Sequence, residues 1–465
     1  MTVESILALT ELVLAVLVAG HALLYKRDTR SSTFWVLLIL LVPWLGMIFY
    51  ALFGINRIRV LATRYTTGKN GFRVVLSVPN VSEPLSLEWI NAEYQSLDSI
   101  DLLENGDQCF PAMLAHIEQA QQEILLSSYI FDNDSIGQTF AAALQSAARR
   151  GVNVYVLIDG IGKLYSFPTI GRLLKHSEST TLHYATFLPT VAPWSLRFLN
   201  LRNHRKLLII DRQHAYIGGM NIRRDHVLAL HTKHPVKDVH FLLEGPVIKH
   251  LVATFSADWR FATKGEELKS VNPIGDTGIH RHKPIKCRVL SDGPHLNYSI
   301  LGLTLLVAIS QAQKQLRIVT PYFLPDRILI MALVTAALRG VDVAILLPQK
   351  NNLPWVKWAM AAQAWQLLEY GIKIYESPGE FDHSKIFTSD SQYAIVGSSN
   401  WDARSLRLNF EVNIEIHDEE FARRLNHHID ERLATSRELD FAAVNSRHLA
   451  TRVRDSAARL FLPIL

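Results

Sequence analysis

One pattern of chemistry-bearing residues occurs twice in this chain at the same spacing, and that duplication constrains the fold more than any other feature. His204-Arg205-Lys206 leads through Leu207–Ile210 to Asp211 and then to Gly218-Gly219-Met220-Asn221. His383-Ser384-Lys385 leads through Ile386–Ser389 to Asp390 and then to Gly397-Ser398-Ser399-Asn400. Further elements repeat around them. Residues 117–126 reappear in outline as 309–318, a helix end running into a buried strand. Residues 147–157 reappear as 336–346, a helix stopped by glycine with a strand directly after it. A single duplication of roughly 180 residues predicts two similar lobes rather than a solenoid, and it makes a site shared between the lobes plausible. Apolar strands alternating with amphipathic helices make the fold class α/β.

In a strand, positions i and i+2 share a face, so the His and Lys of each copy point at one target. An imidazole beside an ammonium is a poor pair for a core and a good one around a phosphate. Lysine neutralises the oxygens while histidine acts on phosphorus or on a leaving oxygen. Asp211 and Asp390, each at the end of its strand, read as groups that orient the motif backbone rather than touch substrate. Asp238 and Glu411 each open an alternating strand at similar distances after their motifs. No Cys/His/carboxylate cluster with ligand spacing is visible, so no metal and no cofactor is expected. His280 and His282 form an H-x-H with no third ligand in view and read as solvated linker. Cys109 and Cys287 support neither a disulfide framework nor a zinc site.

The N-terminus has a different character. Residues 34–53 carry no charge and are long enough, at about 1.5 Å per residue, to cross a hydrocarbon core of about 30 Å. Residues 6–25 are apolar apart from Glu11 and His21, which suit a neighbouring helix or a headgroup better than lipid. The short basic link between them predicts a transmembrane helical hairpin, with Pro43 kinking its second arm and Trp35, Trp44 and Tyr50 as candidate interfacial aromatics. A cleaved signal peptide fits poorly, because Glu4 and Glu11 precede any basic residue. Two crossings put the N-terminus and the main body on one side. Lys26, Arg27 and Arg30 in the link, against Arg57, Arg59, Arg64 and Lys69 after it, lean towards a cytoplasmic body. With 49% hydrophobic and 20% charged residues, the chain is neither disordered nor of low complexity. Its net charge of +5 suits an anionic lipid surface or phosphate substrates without requiring nucleic acid.

The paired motif resembles the signature H-x-K-x4-D-x6-G-S-x-N of the phospholipase D superfamily, two copies of which build one active site. Among its members, the bacterial cardiolipin synthases are most similar. The resemblance covers residues 95–440, and the hairpin and residues 320–326 fit it too. Gly219 departs from it, since the signature has serine there. The resemblance implies two phospholipase D-type lobes, each a mixed sheet flanked by helices, around a pseudo-twofold site behind the hairpin. The division is a hairpin at 1–56, a juxtamembrane linker at 57–94, lobes at 95–275 and 276–440, and a C-terminal amphipathic segment at 441–465, where the arginines and apolar residues of 447–465 suit either an anionic membrane surface or a helix packed on the lobe.

The catalytic set would be His204, Lys206, Asp211, His383, Lys385 and Asp390, with Asn221, Asn400 and Ser398 around the substrate. In the superfamily an acid orients the histidine of the opposite half, which implies Glu411 with His204 and Asp238 with His383. The implied reaction joins two phosphatidylglycerols into cardiolipin and glycerol, with His204 forming a phosphohistidine and His383 serving as acid. The symmetry of the repeat leaves the reverse assignment open. A membrane phospholipase D that hydrolyses headgroups is the alternative, and a nuclease of the same superfamily a more distant one. Expected partners are phospholipids in a bacterial inner membrane crossed more than once, with no nucleic acid and with a homo-oligomer left open. Apolar, aromatic residues at 193–199 and 353–370, among them Trp355, Trp358 and Trp365, suit a lipid-facing rim.

Overall fold

The computed structural model describes residues 3–26, 29–55, 94–175, 179–189, 201–269, 284–294 and 299–460. The expected linker over 57–93, the apolar run 193–199, the lobe boundary near 272–275 and 280–283 (with His280 and His282), and the last residues 461–465 lie outside them.

Val3–Tyr25 forms one long apolar helix, and among the described residues it alone is long and apolar enough to cross a membrane. The second arm differs from the single span expected over 34–53. It runs as Thr29–Leu41, breaks at Val42, resumes as Pro43–Phe49 and ends in a wider π-turn, Tyr50–Gly54. The cause is Pro43, which has no N–H to donate back and starts a fresh helix at its first turn. Ala15, Ala19 and Ala22 let the two arms approach closely around Trp35, Ile39 and Tyr50. His21 faces the neighbouring helix, with Nδ1 2.9 Å from the Tyr50 hydroxyl.

The body is two mixed sheets with one shared internal order. In the first, Leu207–Ile210 pairs antiparallel with Glu123–Ser128 and with His214–Gly218, and Asn153–Asp159 then adds parallel to Glu123–Ser128. In the second, Ile386–Ser389 pairs with Gln315–Val319 and Tyr393–Gly397, and Asp342–Pro348 adds parallel. The parallel pairs need a crossover, supplied by the helices Ser135–Arg149 and Arg327–Leu338. Both helices stop at a glycine with positive φ, Gly151 at 94° and Gly340 at 91°. The N–H of the following valine closes the turn on the carbonyl of Ala147 or Ala336. The glycine stops read from the sequence therefore mark the helix ends.

The strands Leu207–Ile210 and Ile386–Ser389 are buried on both faces. Leu207, Ile209, Ile386, Val396, Val412 and Ile414 belong to one apolar cluster packed between the two sheets, while Leu208 and Ile210 face the outer core of the first lobe and Phe387 that of the second.

One sequence boundary shifts. Gln95–Leu97, assigned by position to the first lobe, extends the second sheet by pairing antiparallel with Ile285–Asp292. That pairing is non-local and leaves no trace in local patterning. Of the two readings of the terminal segment, the structure has Leu449–Leu460 as an amphipathic helix packed on the second lobe. Asp455 is buried under Arg447 and Arg454, Arg454 lies 4.5 Å from the centre of the Trp358 ring, and Arg447 also donates to the Ala361 carbonyl.

Candidate active site

Each motif histidine sits just before its buried strand rather than within it, and each is held there by the opposite lobe. The His204 backbone N–H donates to the Phe410 carbonyl at 2.9 Å, and that of His383 to the Lys237 carbonyl at 2.7 Å. The next residue in each partner segment is the acid. His204 Nδ1 lies 3.0 and 3.1 Å from the two oxygens of Glu411, and His383 Nδ1 lies 2.9 Å from Asp238 Oδ2. The structure thus brings Glu411 to His204 and Asp238 to His383. One cleft of about 1370 Å³ between the lobes is lined by both histidines, Asn221 and Asn400.

The two halves are braced differently. Glu411 is fully buried and accepts from Ser398 Oγ at 2.6 Å and Asn409 Nδ2 at 3.1 Å as well as from His204. In the first half, Gly219 stands where Ser398 stands in the second. A Cβ there would lie 2.5 and 2.6 Å from the two Asp238 oxygens, so the position is glycine because the shorter carboxylate fills the space a serine needs. Asp238 accepts from the Val239 N–H at 2.8 Å. The lysines differ too. Lys206 Nζ donates to the His204 carbonyl at 2.7 Å, whereas Lys385 Nζ reaches both the His383 carbonyl and His383 Nδ1, the latter at 3.0 Å.

Burial dominates the electrostatics. It holds His204 down to about 4 against the opposing pull of Glu411, and with Lys385 and Lys206 it holds His383 well below its ordinary value. It also lowers Lys206 strongly and Lys385 to about 8. Burial pushes Glu411 upwards, but His204, Lys206 and Ser398 outweigh it and leave the carboxyl below its usual range. For Asp238 burial wins over Lys385 and His226, and the carboxyl is raised. A neutral imidazole whose Nδ1–H faces an anionic carboxylate keeps its lone pair on Nε2, which is the state a nucleophile needs.

Asp211 and Asp390 are placed elsewhere, although the signature groups them with the catalytic residues. Each follows the far end of its strand, with φ of 51° and 52°, in a turn whose next residue is also left-handed. The Asp211 carboxylate accepts from the N–H groups of Gln121, Gln122 and Glu123, and that of Asp390 from Gln313, Lys314 and Gln315, all at 2.7–3.0 Å. They fix the start of the neighbouring strand, five residues past the lysine and so roughly 17 Å away along the chain. Asn221 spends Oδ1 on the Ile130 N–H at 3.0 Å, which leaves its amide nitrogen as the donor towards substrate.

Sequence reasoning missed several neighbours. Tyr129 sets its ring 5.2 Å from the His204 ring and beneath Lys206 Nζ, and the Tyr322 ring lies 6.4 Å from that of His383. Asn409 had one available signal, its place two residues before Glu411. Arg205, between the motif His and Lys, bridges the lobes by donating to the Glu411 carbonyl and pairing with Asp258. Among the described residues, no cluster of three or more His, Cys, Asp or Glu side chains could hold a metal ion. Both cysteines are buried and unpaired.

Residues 113–259 and 305–433 match the family described as cardiolipin synthase, PLD-like domain, and residues 13–54 match the phospholipase D-nuclease N-terminal family. The chain is 32% identical to the major cardiolipin synthase of Bacillus subtilis (strain 168), with all of both chains covered. It is 30% identical to cardiolipin synthase 1 of Bacillus anthracis, over 95% of this chain and 90% of that one. Among solved structures, phosphatidylserine synthase of Haemophilus influenzae Rd KW20 shares the fold, with a TM-score of 0.63 at 14% identity over 81% of this chain and 98% of that one. The chain belongs to the phospholipase D-like cardiolipin synthase family.

Proposed function

We propose that this family member is a membrane-anchored phosphatidyltransferase that converts two phosphatidylglycerols into cardiolipin and glycerol. The observation that carries the reading is one cleft holding two histidines, each oriented by a carboxylate from the other lobe, in a chain matched along its whole length by cardiolipin synthases.

In the first displacement, His204 Nε2 attacks phosphorus while the bond to the headgroup glycerol breaks and His383 gives that oxygen a proton. In the second, His383 removes the proton from a hydroxyl of the second phosphatidylglycerol, that oxygen attacks phosphorus, and the P–N bond to His204 breaks. Lys206, Lys385 and the amide nitrogens of Asn221 and Asn400 hold the non-bridging oxygens. The asymmetry supports these roles. His204 Nδ1 faces two oxygens of a carboxylate held ionised, which fixes one tautomer. His383 Nδ1 lies between Asp238 and Lys385, so its proton is held less firmly, as a group that must give and take one requires. Burial and the neighbouring Lys385 and Lys206 keep His383 neutral, and the negative phosphodiester between the two lysines supplies the charge that favours its protonated form.

The same reading places the body on the cytoplasmic side of a bacterial inner membrane, with Thr29–Gly54 crossing back as a broken second span. A homo-oligomer is compatible with it. Water in place of the second lipid would make the same cleft a phospholipase. Incubating purified protein with phosphatidylglycerol in detergent distinguishes the outcomes: cardiolipin and free glycerol in equal amounts are expected. Phosphatidic acid without cardiolipin would replace transfer by hydrolysis, and no lipid turnover would remove the reading altogether.

A further inference from the structure

The turn after Asp159 combines a rigid backbone with apolar side chains that remain largely exposed. Asp159 Oδ1 accepts from the N–H groups of Ile161 and Gly162, and Asn133 reaches forward to Ser166 and to the Pro168 carbonyl. Gly162 lies so close to the Tyr129 carbonyl that a Cβ there would collide with it. A segment pinned at both ends is not a fraying loop, yet it presents Leu164 at 54%, Tyr165 at 58% and Phe167 at 91% exposure. Outward-facing apolar side chains on a fixed backbone cost solvation unless something covers them.

Their position points to what does. Tyr165 lines the mouth of the active cleft, beside Tyr129. The same cleft is lined from the second lobe by Trp355, 45% exposed in the first turn of the helix Pro354–Gln363, with Lys350 and Lys357 beside it, and Lys163 flanks the first lobe's turn. Aromatic and apolar tips beside lysines, on both lips of a cleft that takes a lipid headgroup, match the headgroup layer of an anionic bilayer.

We propose that Leu164, Tyr165 and Phe167 on one lip and Trp355 on the other form an interfacial rim, which dips into an anionic bilayer and lets phosphatidylglycerol pass from the leaflet into the cleft. The proposal rests on the lipid-transferase reading, and it adds the surface through which that substrate arrives. The apolar helix Val3–Tyr25 tethers the chain, and the rim sets which way the cleft faces.

Because Cys109 and Cys287 are buried, Phe167→Cys in the full chain can be labelled selectively with an environment-sensitive fluorophore and reconstituted in phosphatidylglycerol-containing bilayers. Lipids brominated along the acyl chains should quench the label at 167 at least twofold, and a label placed by Leu338→Cys, exposed at the opposite end of strand Asp342–Pro348 from the cleft-lining Gln349, should be little affected. Separately, Leu164→Asp/Phe167→Asp should slow turnover of bilayer phosphatidylglycerol about tenfold or more, while turnover of a monomeric short-chain phosphatidylglycerol stays within twofold of the parent protein.

Absence of quenching at 167 would overturn the proposal, as would equal loss on both substrates. Quenching that vanishes on dilution of protein into excess lipid would reassign the rim to contacts between copies of the chain. Quenching is read without turnover, so a parent protein that makes no cardiolipin would sink the transferase reading and leave the bilayer contact standing.

Discussion

The two half-sites share a motif, a strand geometry and a cross-lobe clamp, and they differ in how the acid behind the histidine is held. Glu411 has three side-chain partners and stays ionised despite complete burial, whereas Asp238 is raised by burial and shares its histidine nitrogen with Lys385. A duplicated sequence has therefore produced two unlike carboxylate–histidine pairs, the difference on which the proposed division of roles rests. The difference lies in two correlated positions, serine with glutamate against glycine with aspartate: Ser398 Oγ donates to Glu411, whereas the Asp238 oxygens stand where a Cβ at 219 would be.

Replacing the histidines separates the halves most strongly. His204→Ala and His383→Ala should each lower cardiolipin synthesis on the order of 10³-fold or more. With a phosphatidyl donor whose leaving group needs no proton, the His383 variant should still become covalently phosphatidylated and the His204 variant should not. Mass spectrometry of trapped protein checks this, and an adduct on His383 in the parent chain would reverse the roles.

Next in size, Glu411→Gln should reduce kcat on the order of 10³-fold, since the amide can present the wrong group to His204, and Asp238→Asn should cost less, about 10²-fold. Equal losses in steady-state assays would erase the proposed asymmetry. Gly219→Ser comes third. Its Cβ must displace the Asp238 carboxylate, and we expect about a tenfold loss, while Ser398→Gly, which removes one of three donors, should cost only a few-fold.

The smallest effect concerns pH. His204 is held at about 4 when folded against 6.5 when exposed, so the unfolded chain takes up its proton first as pH falls. Its contribution to stability is present above about pH 6.5 and is lost as the pH drops towards 4. Glu411, held below its ordinary value, adds loss as pH falls further, whereas Asp238, held above, works in the opposite direction. The thermal midpoint should fall by several degrees from pH 7 to pH 4, less steeply in His204→Gln. An unchanged slope in that variant would mean that His204 is not the buried neutral group described.

Much of this was legible in the chain because it is local. The glycine stops at 151 and 340, the buried strands at 207–210 and 386–389 and the turn aspartates all follow from residues within a few positions of one another. The cross-lobe acids were reached through family resemblance, since no periodicity links residue 204 to residue 411. The ring of Tyr129 and the strand Gln95–Leu97 on the second sheet escaped because each depends on packing between distant segments, whereas Asn409, two residues before Glu411, was within local reach. The apolar turn at 164–167 escaped for another reason. Its meaning is exposure, and a short run of apolar residues in sequence reads equally well as core.

The cross-lobe clamp also sets a clock on synthesis of the protein. His204 leaves the ribosome more than two hundred residues ahead of Phe410 and Glu411, the groups that hold its backbone and its ring. Until the second lobe is translated and docked, that histidine has neither its place nor its tautomer, and His383 cannot find Asp238 without the same closure. A nascent chain that has not yet completed its second lobe therefore holds neither histidine in its oriented place. The enzyme is switched on once, by completing its own fold.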